Sequence, residues 1–239
     1  MTNERLLASY LKDSKNTIVI TGYKINEDSN IPDIFEKEGW WNDADPKIAA
    51  LVDSLDNNYD KFHEFYSTRV ADLQECNYNN AHKILSKWQG DSLVHSIATQ
   101  AVDDFHEYAG CNVVYHLNGR INNVYCKNCK TKHNAEDFLN KEKCRECSSH
   151  LRPDIVLYGD PYREFEWFRT IGDIQGADLV LVIGTNLLLS PKNQVKKLTK
   201  GKLVVIDDVK TEDIDCDLFI EGNIGEILSN VDKLTEEVI

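Results

Sequence analysis

Four cysteines constrain what this chain can fold into more tightly than any other feature. Cys126 and Cys129 form one C-x2-C pair, Cys144 and Cys147 form another, and fourteen residues separate the two pairs. Each such turn sets two thiolates on one side of a knuckle, and two knuckles close a tetrahedral four-sulfur shell around zinc with no open position for substrate. The expected site is structural, not catalytic. The spacer falls one residue short of the usual range of about fifteen to twenty, and its polar, Lys-rich character suits an exposed ribbon loop. Cys76, Cys111 and Cys216 stand alone in sequence and read as small buried hydrophobes or incidental surface residues.

Reading cysteine pairs as metal ligands assumes a reducing compartment. The segment MTNERLLASYLKDSKN mixes acid and base without an apolar core, and the longest apolar stretch, Leu179 to Leu189, is broken by Gly184-Thr185-Asn186. Neither an export signal nor a membrane span is expected, which places the chain in the cytoplasm. Charge narrows the partners further: 27 Lys and Arg against 40 Asp and Glu leave a net −13. That excess opposes sequence-blind binding to nucleic-acid phosphates, and no basic patch offsets it. With 239 residues, 41% of them hydrophobic, one or two domains with a real core are expected.

Around the cysteines the pattern is one of helices and buried strands. Met1 to Lys15 reads as a helix with Leu6, Leu7, Tyr10 and Leu11 on one stripe, and Thr17–Thr21 as a buried strand closed by Gly22. Helical patterns follow at Pro46–Leu55, Asp60–Gln74 and Asn80–Lys87, with strands expected at Ser92–Thr99 and Asn112–Leu117. Beyond Asp154 come three continuous apolar runs, Ile155–Tyr158, Leu179–Ile183 and Lys202–Ile206. Continuous runs mark strands covered on both faces. Their alternation with helices predicts an α/β fold with a Rossmann-like, doubly wound parallel sheet. Trp40, Trp41, Tyr59, Phe62, Phe65 and Tyr66 enrich the segment Ile31 to Leu73 in aromatic residues, most of them expected in a core.

Open parallel sheets bind ligands beyond the carboxyl ends of their strands. Three strand ends therefore stand out: Thr21 to Phe35, Thr99 to Gly110 with Tyr115 to Gly119 just beyond it, and Ile183 to Pro191. Their order, together with the cysteine ribbon, Leu151 to Asp160, Asn80-Ala81-His82, Thr99-Gln100, Ala109-Gly110, Arg152-Pro153 and Gly184-Thr185, resembles the sirtuin family from about Asn16 to Leu228. The resemblance implies a large Rossmann-like domain (1–30, 76–119 and 151–239) and a small domain made of a helical insertion (31–75) and a zinc ribbon (120–150). It implies an NAD-dependent deacylation site between them, with structural zinc, NAD or ADP-ribose, and an acyl-lysine peptide or other protein as ligands. Gly22, Lys24, Gln100, Gly184, Thr185, Asn186 and Asp207 fall at cofactor-binding positions.

The departures from the family pattern are as informative as the matches. Where sirtuins carry T-G-A-G-I-S-x-x-S-G-I-P-x-F-R, this chain has Tyr23 and Lys24 for Ala and Gly, Asn30 for the later Gly, and Ile34-Phe35 for Phe-Arg. Tyr23 and Lys24 would fill space that a pyrophosphate needs, although a Lys ammonium can also contact phosphate; the alternative is a solvated Lys on a remodelled loop. The family's T-Q-N-x-D reads Thr99-Gln100-Ala101-Val102-Asp103, so a ribose-side amide is replaced by a methyl group. Asp103 is either an acid at the site or a helix N-cap. Asn186 stands where Ser is usual. Asp207 reads either as a ribose acceptor or as the cap of a turn.

Counting from Gly110 and back from Cys126, the position of the sirtuin catalytic His falls on Asn118. An amide accepts no proton from a ribose hydroxyl at neutral pH, which removes general-base help worth roughly 10²–10⁴ in rate. His116, two residues earlier, reads as a partly exposed strand histidine or as a substitute base displaced by roughly 6–7 Å along the strand. The other histidines read as structural or surface residues. The expectation is a sirtuin-fold zinc protein with a degraded NAD site that lacks or nearly lacks protein-lysine deacylase activity and acts by binding nucleotide or protein. Its rival is an active NAD-dependent deacylase or ADP-ribosyltransferase with a non-standard catalytic residue.

Overall fold

The computed structural model describes residues 2–31, 50–185, 194–210 and 215–237. In chain order the elements are α1 (Asn3–Asp13), β1 (Thr17–Thr21), α2 (Val52–Asn57), α3 (Tyr59–Gln74), α4 (Asn80–Gly90), β2 (Ser96–Thr99), α5 (Phe105–Tyr108), β3 (Val114–His116) and β4 (Gly119–Cys126). They continue with β5 (Lys132–His133), α6 (Ala135–Leu139), β6 (Leu151–Ile155), α7 (Glu164–Gly176), β7 (Leu179–Ile183), α8 (Gln194–Leu198), β8 (Lys202–Asp207), β9 (Leu218–Glu221) and α9 (Ile224–Glu237). No helix among the described residues is long and apolar enough to cross a membrane.

Six strands form one parallel sheet in the order β3-β2-β1-β7-β8-β9. The chain moves outward from β1 through β2 and β3, then returns to the other side of β1 and moves outward again through β7, β8 and β9. The order reverses between β1 and β7, and a doubly wound sheet opens its ligand crevice at that switch point. Helices cover both faces, which is why β1 and β7 are buried at every residue. Val19, Leu181 and Val204 pack on one side with Leu7, Leu11, Leu85, Trp88 and Leu228. Ile18, Ile20, Val180 and Val205 pack on the other with Ile174 and Val195. Each fully buried large side chain contributes roughly 1.5–3 kcal/mol, so these central strands anchor the fold.

The second sheet is β5-β4-β6, antiparallel throughout. It packs with α3 over its own core of Phe62, Phe65, Tyr66, Val70, Ile121, Val124, Phe138 and Leu151. Tyr59, Phe62, Phe65 and Tyr66 are buried here as expected, while Trp40 and Trp41 lie outside the described residues.

Several expectations need correction. The run Ile155–Tyr158 is not a strand of the parallel sheet. The strand is Leu151–Ile155, paired antiparallel with β4, and beyond it Leu157 is buried while Tyr158 is 70% exposed. One face of this segment meets the small core and the other does not, so its apolar composition does not signal double coverage. Ser92–Thr99 shortens to Ser96–Thr99 because Ser92 turns the chain with φ 63°. Asn112–Leu117 shortens to Val114–His116. Of the pattern Pro46–Leu55, the described helix is Val52–Asn57, and 32–49 lie outside the described residues. Asn80–Lys87 extends to Gly90, held at its start by Asn79, whose side chain accepts from the Ala81 and His82 N–H groups. Strand β9 and helix α9 close the sheet without having been anticipated.

Candidate functional site

The four cysteines converge where their spacing placed them. Cys126 Sγ lies 3.4 Å from Cys147 Sγ, Cys129 Sγ lies 3.4 Å from Cys144 Sγ, and all four sulfurs fall within 4.8 Å of one another. A tetrahedron with Zn–S bonds near 2.3 Å has sulfur–sulfur edges of about 3.8 Å, so this donor set fits zinc. Local folding explains the convergence: β4 delivers Cys126, the Lys130 turn at φ 63° and the Ser148 turn at φ 56° bend the two knuckles, and Cys144 N–H bonds Ser149 O. The Thr131 hydroxyl, 3.2 Å away, leads the effects that hold the Cys129 thiol down at about 6. Burial pushes Cys144 up to about 11.

At the switch point the ends of β1 and β7 touch. A Cβ on Gly22 would lie 2.2 Å from Gly184 O, and Gly22 N–H bonds Ile183 O. Gly184 takes φ +61°, and a Cβ there would lie 2.8 Å from Lys24 Cβ. Both glycines therefore serve the packing of one loop against the other. Asn30, replacing a glycine of the family pattern, adopts φ 58°; asparagine is one of the few side chains that tolerate this region. Lys24 does not stand solvated. Its Nζ donates to Asp207 Oδ1 at 2.6 Å and also to Asp208 Oδ1. Burial works against the ammonium, but the bonds and charges of the two aspartates outweigh it and hold the Lys24 pKa above its ordinary value. Asp207 is raised by its own burial. Tyr23, in the same turn, is half-exposed.

Beneath the crevice lies a polar layer that joins residues far apart in sequence. The Thr21 hydroxyl donates to Thr99 Oγ1 at 2.9 Å and stands 3.0 Å from His106 Nε2. His106 and His82 rings lie 4.8 Å apart. Burial holds His82 down at about 4 and His106 well below its ordinary value, so both are neutral. Asp103 is also buried; its Oδ2 accepts from Asn26 Nδ2 at 2.6 Å and its Oδ1 from Phe105 N–H at 3.0 Å. It thus caps the turn into α5, and burial raises its pKa despite these bonds. No sequence signal marked Asn26 as its partner.

Gln100 and Thr185 meet directly, the Thr185 hydroxyl donating to Gln100 Oε1 at 2.6 Å. Asn118 lies past the end of β3, in the turn before β4, so it does not share a strand face with His116. Its Nδ2 donates to Gln100 O at 2.9 Å; a backbone carbonyl demands a donor, which fixes the amide's orientation. His116 is buried, at 6% exposure, rather than partly exposed. Its Nε2 lies 2.7 Å from Glu107 Oε1, and Arg120 binds both Glu107 and Asp104. Glu107 thus joins His116 to Arg120, a link that the sequence separation of these residues does not signal. Ala101 is buried with only its backbone bonded, its N–H donating to Thr99 Oγ1. Asn186 lies outside the described residues.

Comparison with known proteins agrees with this arrangement. The model of the Sir2 family matches residues 22–191. A curated relative from Oceanobacillus iheyensis, named NAD-dependent protein deacetylase, is 32% identical over 232 residues, covering 95% of this chain and 98% of its own. A solved Sir2 homolog–NAD complex superposes with a TM-score of 0.89 at 26% identity, covering 97% of this chain and 93% of that one. A structure of Sir2 bound to acetylated peptide gives 0.86 at 26% identity and 98% coverage of both chains. A parallel sheet with its switch point at Gly22 and Gly184, a four-cysteine ribbon beside it, and a family match across most of the sequence establish that this chain belongs to the Sir2 family, the sirtuins.

Proposed function

We propose that this sirtuin holds one structural zinc on Cys126, Cys129, Cys144 and Cys147, binds NAD or its ADP-ribose part weakly at the switch-point crevice, and lacks or nearly lacks protein-lysine deacylase activity. Its action is then by binding a nucleotide, or a protein such as an acyl-lysine peptide. The observation that carries the reading is Asn118. An amide whose N–H₂ is given to Gln100 O presents only a weakly basic carbonyl oxygen and takes up no proton near pH 7. Neighbouring groups are placed elsewhere: His116 is buried on β3 with its Nε2 on Glu107, and both oxygens of Asp103 are engaged by Asn26 and Phe105. Ala101 offers no side-chain polar group to a ribose.

NAD, when bound to a sirtuin, supplies the electrophilic ribose carbon. What this chain's residues do at the crevice is different in kind: Gln100 and Thr185 lock to each other, Thr99 and Thr21 order the strand ends, and Asn118 ties the β3–β4 turn to β2. The alternative, an active deacylase or ADP-ribosyltransferase, draws its support from Asp103, a buried carboxyl with a raised pKa of the kind active sites collect. The experiment is incubation of the purified full chain with NAD and an acetyl-lysine peptide, followed by mass spectrometry of peptide and nucleotide. No turnover is expected. Sustained NAD consumption at ordinary enzyme rates, on the order of 1 s⁻¹ or faster, overturns the reading, and loss of that activity in His116→Ala or in Asn118→Ala names the residue responsible.

A further inference from the structure

Lys24 crosses the switch point. Its stem runs against the Gly184 backbone, and its ammonium ends between Asp207, the last residue of β8, and Asp208 just beyond. Strand β8 lies on the far side of β7 from β1. A loop from one wall of the crevice is thus bonded to a strand end on the other. In doubly wound sheets this is the place where dinucleotide phosphates approach glycine backbone and a strand-end carboxylate accepts from ribose hydroxyls.

We propose that Lys24 is an internal competitor for the ribose-binding carboxylate of this crevice: paired with Asp207 and Asp208 over Gly184, it latches the crevice shut, and a ligand of ADP-ribose chemistry binds only by displacing it. The inference rests on reading the crevice as a nucleotide site and adds what controls entry to it. Lys24 and Asp207 side chains are only 21% and 7% exposed, so the pair is shielded from the screening that weakens surface ion pairs. A charge-assisted bond from an ammonium is roughly twice as strong as one from a neutral hydroxyl, so a ribose competes poorly for Asp207 while Lys24 is in place. The surroundings disfavour a simple swing of Lys24 onto phosphate. Glu27 and Asp28 stand nearby, and the Glu27 carboxyl is raised by burial and by the charge of Asp208. Swinging Lys24 onto phosphate would break both of its bonds to the aspartates.

The two arrangements predict opposite signs. The test is calorimetric titration of ADP-ribose, and separately NAD, into the full chain at fixed ionic strength. The double variant Lys24→Gln/Asp208→Asn keeps the net charge at −13 and leaves Asp207 without a charged partner; Lys24→Gly removes both charge and stem. Each is expected to tighten ADP-ribose on the order of tenfold, and the half-exposed single change Asp208→Asn roughly twofold to threefold. Urea midpoints of the same variants should stay level or fall, which separates a released latch from a stiffened fold. Weaker binding in Lys24→Gln/Asp208→Asn and Lys24→Gly, unchanged binding in both, or no binding by any form overturns the proposal. Failure here leaves the missing base at Asn118 untouched, whereas deacylation by the natural chain overturns the functional reading and leaves the sign of the latch to the titration.

Discussion

The ribbon and the crevice share a chain and differ in how completely the family pattern survives. In the ribbon all four sulfurs are present and adjacent. In the crevice the strand ends and glycines are in place, yet the side chains that reach into it bond one another: Lys24 to Asp207, Thr185 to Gln100, Asn118 to the Gln100 carbonyl. A metal shell tolerates no partial match, because a missing thiolate leaves the ion with an open position and the segment without its organiser. A ligand crevice tolerates many substitutions, because the sheet that forms it is held by its hydrophobic layers and not by the ligand. The ribbon therefore depends on its metal shell to fold, whereas the sheet around the crevice does not depend on a ligand.

The largest expected effect tests the ribbon side. Cys126→Ser or Cys144→Ser should abolish zinc stoichiometry and unfold the small sheet, since binding at such a site supplies roughly 10–16 kcal/mol that is also folding free energy; elemental analysis and circular dichroism read both. Freshly purified natural protein without metal would sink the zinc assignment. The crevice side predicts the reverse tolerance. Asn118→His alone should yield no deacylation, while Asn118→His with Ala101→Asn and Lys24→Gly should yield a measurable rate, because a general base contributes its roughly 10²–10⁴ only when the ribose is held in place. A deacylating Asn118→His single variant would show that the remaining side chains never obstructed the site.

The buried histidines beneath the crevice make an intermediate prediction. His82 is held at about 4 when folded against an unfolded value near 6.5, so between those pH values the unfolded chain binds the extra proton. Stability should rise as pH goes from about 4 to 6.5 and fall on acidification, by on the order of 3 kcal/mol for His82, with His106 acting in the same direction. Urea midpoints across that range should show a slope that flattens in His82→Asn; an equal slope in the variant would exclude His82 as its source. At the small end, Lys127 and Asp56 pair at 2.9 Å on the ribbon's surface, and Lys127→Met should move stability by no more than about 0.5 kcal/mol. A shift several times larger would mean that surface charge, and not metal, organises the ribbon's contact with α2.

Much of the frame was legible because its signals are local. Thr17–Thr21 and Leu179–Ile183 are strands with the bounds read from their apolar runs, since a strand buried on both faces has no polar position to spare. The cysteines declared their site through spacing alone. Ile155–Tyr158 misled because an apolar run states that a segment is covered without saying by what. His116 misled because its partner Glu107, itself paired with Arg120, lies nine residues earlier with no periodic relation to it.

The sequence by itself determined the cysteine spacing of the ribbon, the alternation of helices and buried strands, and the identity of Asn118 as an amide. Those properties depend on residue identity and on neighbours within a few positions. Only the tertiary structure decided that Lys24 meets Asp207 across 183 residues, that Thr21 meets Thr99 and His106, and that Asn26 meets Asp103. Each of those contacts exists because parallel strands bring distant carboxyl ends to one edge of the sheet. A charge is read from the chain, but what it is bonded to is set by the strand order.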